Sequence, residues 1–153
     1  MNTLELLLQN QILLSAVCGW LIAQVLKTLI HLYFNHSFVP ERLVGSGGMP
    51  SAHSATVCAL STSAGIVCGV DSPIFAIATI LAIVVMYDAI GVRRETGIQA
   101  KIINEMMDAF SKMNQQLSAE EKLKELVGHT PLQVLVGGIL GVAIAFLMDA
   151  LLF

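Results

Sequence analysis

Four long apolar stretches divide the chain, at residues 12–34, 50–70, 73–92 and 131–153. Each is long enough to cross a bilayer, which takes about 20 helical residues. The second is rich in Ser, Thr, Ala and Gly, so it reads either as a span or as a partly buried or re-entrant helix. Its Ser61, Gly65 and Gly69 recur every four residues, as do Gly137, Gly141 and Ala145 in the last stretch. Stripes of small residues at that spacing let helix backbones approach closely inside a membrane.

Between residues 97 and 128 the pattern changes. Ile98, Ile102, Met106, Phe110, Met113 and Leu117 recur at steps of three or four with polar residues between them, which predicts an amphipathic helix. That helix either lies on the membrane surface or folds back over the bundle, with packing the expected role of its apolar stripe. Ser118 followed by Glu121 has the form of a capping box, opening a short helix that Gly128 ends. Thr130 then suits the N-cap, and Pro131 the first residue, of the last span. The pattern as a whole predicts an all-α integral membrane helical bundle of about four transmembrane helices plus an amphipathic connection. Residues 1–153 form one membrane domain.

Composition supports that medium, since 56% of the residues are hydrophobic and 12% are charged, against roughly 25% charged in soluble domains. Lys27, Arg42, Arg93, Arg94, Lys101, Lys112, Lys122 and Lys124 all lie at or between the ends joined by the first and third connections. By the positive-inside rule those connections face the cytoplasm and both termini face outward, in a multi-pass cell-membrane protein. No Lys or Arg precedes the first apolar run, which therefore reads as an uncleaved span. The net charge of −3 is scattered, with no run that suggests nucleic-acid binding. Cys18, Cys58 and Cys68 fall inside predicted spans, where an odd count without paired spacing argues for packing over a disulfide or a metal site.

Chemistry concentrates in GSGGMPSAHS, residues 45–54. Gly47 and Gly48 let backbone N–H groups converge on phosphate-like oxygens. Pro50 suits a helix start, and the amino end of a helix favours an anion. His53 stands beside this cradle, and His129 precedes a second Pro-initiated helix on the same side of the membrane. Asp88, Arg93 and Arg94 sit at the inner end of the third span, where ionisable groups are costly unless they pair or serve a site. Lys27 either snorkels to the interface or joins them. Together Lys27, Arg93, Arg94, Ser51 and the two histidines fit phosphoryl transfer. There is no Walker-type lysine loop and no carboxylate cluster for a metal, so a phosphohistidine route is the natural alternative.

GGMPSAHSA, DAIGVRRETGIQA and LKELVGHTPLQVLVGG together resemble the type 2 phosphatidic acid phosphatase and vanadium haloperoxidase superfamily, in its small divergent bacterial and plant branch. The resemblance covers nearly the full length. It implies that Ser51 contacts phosphate and that His53 is the general acid, with Ala52 where the superfamily has glycine. It implies that His129 is the nucleophile. Gln133 takes the place of the aspartate that orients such a histidine; an amide can accept a hydrogen bond from imidazole but supplies no negative charge. Arg93 and Arg94 precede His129 by 36 and 35 residues, whereas the superfamily's motif arginine lies just before the nucleophile. Lys27 can stand for the lysine of the early Lys-Arg-Pro motif, with Arg42 only a loose match for its arginine. The superfamily core has about six helices, so a homodimer would complete the bundle.

Two functional expectations follow. The first is a metal-independent phosphoric monoester hydrolase that acts on a lipid or isoprenoid phosphate at the cytoplasmic face. His129 and His53 are catalytic, positioned with Gln133; Lys27, Gly47, Gly48, Ser51, Arg93 and Arg94 bind phosphate; Asp88 and Thr130 support them. No cofactor is expected, and phosphate or vanadate should bind as a ligand, with membrane lipids as surroundings and substrate. The second is a non-catalytic membrane protein that binds or moves a phosphorylated lipid.

Overall fold

The computed structural model describes residues 2–36, 48–113, 123 and 128–152, and among them the only regular structure is helical. The helices are α1 (Thr3–Leu8), α2 (Gln11–Asn35), α3 (Ala52–Cys68), α4 (Pro73–Ile90), α5 (Val92–Met113) and α6 (Pro131–Leu152). Gln11–Asn35, Pro73–Phe110 and Pro131–Leu152 are each long and apolar enough to cross a membrane, while α3 has 17 residues. At 1.5 Å per residue α3 is about 26 Å long, short of a full hydrocarbon core.

Local chemistry sets the helix starts. Asn10 caps α2 by accepting from the Leu13 N–H at 3.0 Å, and Ser72 caps α4 by accepting from Phe75 at 3.1 Å, with Pro73 as the first helical residue. Ser51 caps α3 through its hydroxyl. Each cap satisfies a backbone donor that a helix start would otherwise leave unpaired in an apolar medium. The expectation that Pro50 begins a helix is corrected. Ser51 has the side-chain oxygen needed at the N-cap, so Pro50 is left outside the helix.

α3 is the central helix, packed on α2, α4 and α6, with α2 and α6 also in contact. Its weak apolar character is thus that of a buried helix, and small side chains make the burial possible. A Cβ at Gly19 of α2 would lie 2.9 Å from the Ala55 carbonyl oxygen, and one at Gly141 of α6 would run into that same oxygen from the other side. Ala55 and Ala59 are fully buried between them. The Gly137–Gly141–Ala145 stripe therefore faces α3. The other stripe divides: Ser61 pairs with Thr79 of α4 at 2.8 Å and Gly65 lies under Phe75, whereas Gly69 is the C-cap of α3 with φ +89°.

Two boundaries in the second half differ from expectation. α4 stops at Ile90, and α5 starts at Val92, five residues before the predicted helix. The break is at Gly91, whose φ of −88° and ψ of −88° leave the helical region. Gly97 instead lies inside α5, on a buried face with Ala100 and Asn104. The Asn104 side chain donates to the Leu123 carbonyl and accepts from its N–H, both at 2.9 Å. On the opposite face Ile98, Ile102, Met106 and Phe110 are exposed. This corrects the expectation that the stripe is consumed by packing, because the small residues face the chain instead. Met113 and Leu117, the Ser118–Glu121 capping box, Arg42, Lys112, Lys122 and Lys124 lie outside the described side chains.

Candidate functional site

Chain direction brings the candidate residues to one end of the bundle. α3 and α6 start there, α4 ends there, and the other end is tied by a 2.8 Å hydrogen bond from Gln11 at the start of α2 to Asp149 near the end of α6. At the site end the Ser51 N–H donates to the Gln133 carbonyl at 3.1 Å. The absent side chain of Gly137 lets α6 settle directly on Ser51, since a Cβ there would collide with the Ser51 carbonyl oxygen. Two hinges far apart in the sequence are thereby joined.

The second hinge holds His129 by several groups at once. Gly128 turns the chain at φ +95°, a conformation that glycine adopts without strain. The His129 N–H donates to the Ala89 carbonyl at the end of α4, at 3.0 Å. Thr130 and Gln133 form a capping box: the Gln133 N–H lies 3.4 Å from the Thr130 hydroxyl, and the Gln133 side-chain oxygen accepts from the Thr130 N–H at 3.0 Å. The same Gln133 oxygen lies 3.3 Å from His129 Nδ1. Because the Thr130 N–H requires an acceptor, the amide oxygen faces the imidazole, and an amide oxygen can only accept. The tautomer with its proton on Nδ1 donates to this oxygen and leaves the lone pair on Nε2.

His129 is 3% exposed, and burial lowers its pKa from the ordinary value near 6.5. The hydrogen bond to Gln133 works against that by favouring the charged ring, His53 and Lys27 lower the value further through charge repulsion, and a backbone hydrogen bond to Gly48 raises it. The net direction is downward, so the folded protein favours the neutral ring.

His53 stands in the first turn of α3, with its ring centroid 6.0 Å from that of His129 and the planes at 64°. The two imidazoles are thus direct neighbours, arranged edge to face. Lys27 is 3% exposed, and its charge is among the causes that lower the His129 pKa. The reading in which Lys27 snorkels is corrected. α2 continues two turns beyond it to Asn35, so its ammonium is enclosed by the bundle.

Other expected residues take different places. Ser51 is fully buried, and its hydroxyl oxygen accepts from the Ser54 N–H at 3.3 Å and from the Ser54 hydroxyl at 3.0 Å. Its first task is capping, and it retains one hydroxyl proton to donate. Both helix starts are capped by their own side chains, so they add mainly their dipole field to the site. Gly48, at φ +84°, is engaged with His129 through its backbone. Asp88 is half-buried one residue before Ala89. Arg94 is exposed in the first turn of α5, and the structure does not bring it among the buried groups. Gly47 and the Arg93 side chain lie outside the described residues.

Three features of the site escaped sequence reasoning: the Ala89 carbonyl as an anchor, the Ser54 hydroxyl, and the double use of Gln133. Only the last had a signal, since Thr130 and Gln133 have the spacing of a capping box.

The Divergent PAP2 family matches residues 8–144. The chain is also similar to the Uncharacterized membrane protein YuiD of Bacillus subtilis (strain 168), with 37% identity over 151 residues, covering 93% of this chain and 96% of that protein. No solved structure matches.

Proposed function

This chain belongs to the Divergent PAP2 family, and on that premise we propose that it is a metal-independent phosphatase of a lipid or isoprenoid phosphate, working through a phosphohistidine. The observation that carries the proposal is the pairing of His129, whose Nδ1 lies 3.3 Å from the Gln133 side-chain oxygen, with His53 at 6.0 Å between ring centroids.

In the first step His129 Nε2 attacks phosphorus and the ester P–O bond breaks. The leaving alkoxide takes a proton from His53. The ring, now bonded to phosphorus and still carrying its Nδ1 proton, is positively charged, and the Gln133 oxygen stabilises that charge by accepting from Nδ1. Lys27 offsets charge on the phosphoryl oxygens. In the second step water attacks phosphorus, His53 takes its proton, and the N–P bond pair returns to Nε2. The membrane setting favours an amphiphilic substrate, and the distribution of basic residues supports a reading with the site at the cytoplasmic face and both termini outside.

Turnover of phosphatidic acid or a prenyl phosphate by the purified protein in a chelator, with inhibition by vanadate, tests the reading directly. Acid-labile phosphate from a labelled substrate should appear on the protein and vanish in His129→Ala. Turnover that survives this substitution would remove the assigned nucleophile. Vanadate binding without turnover of any such substrate would favour a non-catalytic protein that binds or moves a phosphorylated lipid. That reading draws on Gln133, which supplies no charge to His129. Topology has its own test: cysteine at Glu95 should be labelled from inside the cell and cysteine at Val70 from outside.

A further inference from the structure

Beside the candidate site, a cavity of about 490 Å³ opens between α3, α4 and α6, lined by Cys58, Met86, Val134, Gly138, Ile139 and Val142. Its walls are almost wholly apolar. α4 and α6 barely touch each other, and Ile139 and Val142 are exposed at its edge, so the cleft opens sideways toward lipid. Gly138 keeps it open: a Cβ at that position would already meet Cys58 Sγ at 3.4 Å and Met86 Sδ at 3.9 Å.

The cleft extends all three elements that hold the histidine pair. Cys58 lies five residues into α3 from His53. Met86 lies three residues back along α4 from Ala89, whose carbonyl anchors His129, and Val134 follows Gln133 on α6. On each helix the lining residue is displaced from the site in the same direction, toward the interior of the membrane. From Val134 to Val142 the α6 wall runs about 12 Å. An apolar slot that lies inward of the histidine pair on the same three helices has the polarity of a receptor for a hydrocarbon chain whose head is a phosphate.

We propose that this cleft receives one hydrocarbon chain of a phosphate-headed lipid, with the phosphate at His129 and His53. The head-group end rests on the function proposed above; the chain end rests on the cleft. Gly138 and Val142 then set which chains fit.

The experiment uses the full-length protein in detergent with a monoalkyl phosphate that carries a photoactivatable group at its chain end. The alcohol of the same chain serves as control. The phosphate probe should label the protein around Met86 and Val142, and unlabelled alkyl phosphate should compete where phosphatidylcholine does not. Gly138→Phe should cut the labelling by roughly tenfold or more, the scale on which an apolar pocket discriminates by size. Val142→Phe, at the open end and less disruptive to packing, should cut labelling by long chains while sparing short ones. Vanadate binding should survive both substitutions. Equal labelling by the alcohol, competition by phosphatidylcholine, or indifference to both substitutions would show that the cleft holds bulk lipid only and would overturn the proposal. Failure of vanadate to bind the unsubstituted protein would instead refute the head-group reading, while the phosphate-dependent label still decides the cleft.

Discussion

The two hinges at the site end are built from similar parts and do different things with them. Each has a glycine at positive φ, a proline, a hydroxyl N-cap and a histidine. In the first the histidine follows the cap, so His53 rides on the opening turn of α3. In the second it precedes the cap, so His129 sits outside α6 and is held by the Ala89 carbonyl, the Gln133 side chain and the Gly48 backbone. The order of cap and histidine thus distinguishes a group carried by a helix from a group clamped between helices. Clamping fixes the orientation of the ring, which a helix's opening turn does less tightly.

Breaking the pair should affect chemistry most. His53→Ala should slow hydrolysis of an alkyl phosphate by roughly 10²- to 10⁴-fold, the usual contribution of a positioned acid. It should affect a nitrophenyl phosphate far less, because that leaving group needs no proton. His129→Ala should abolish turnover of both, and steady-state rates on the two substrates separate the roles.

Next in size is the junction that joins the hinges. Gly137→Ala pushes a methyl group into the Ser51 backbone and should cost about 1–3 kcal/mol. Gly138→Ala, one residue on, meets only ordinary contacts at 3.4 Å and beyond and should be nearly neutral. Thermal unfolding of the two variants in the same detergent checks the contrast.

The caps should differ by less. Ser51→Ala and Thr130→Ala should each cost about 1 kcal/mol. Ser51 should be the dearer, because its buried oxygen accepts from both the N–H and the hydroxyl of Ser54, whereas Thr130 is exposed. Unfolding midpoints read this difference.

The smallest expected effect lies in pH dependence. The pKa of His129 is lowered in the folded protein, so the unfolded chain binds more protons below the ordinary value near 6.5. The stability contributed by keeping this ring neutral is fully present above that value and is lost as pH falls toward the folded pKa. Gln133→Glu keeps the capping box and adds a negative charge beside Nδ1. It should move the acid limb of the pH–rate profile upward, whereas Gln133→Leu should move it downward and weaken the start of α6.

Much of the fold could be read from the chain because its signals are local. Apolar runs, the Thr130–Pro131 start of α6 and the Gly137–Gly141 stripe depend on neighbours within a turn or two. Local signals also misled where two glycines competed: Gly97 looked like the start of α5, yet Gly91 breaks the helix, because only packing shows that Gly97 faces Ala100 and Asn104 in the interior. Lys27 was ambiguous for a related reason. Its sequence neighbourhood does not reveal that α3 starts beside it and encloses it.

His53, His129 and Gln133 were recognisable as residues, the histidines from their hinges and all three from the family resemblance. Their working arrangement was not. That the Gln133 oxygen serves a helix cap and an imidazole together, that the Ala89 carbonyl anchors His129, and that α4 and α6 part to leave an apolar cleft all depend on contacts between helices distant in sequence. Helix formation and membrane insertion are governed by each segment's own composition, so the chain carries them in readable form. The site depends on how closely α6 can approach α3 at Gly137 and Gly141, a property of two surfaces meeting, and neither surface alone specifies it.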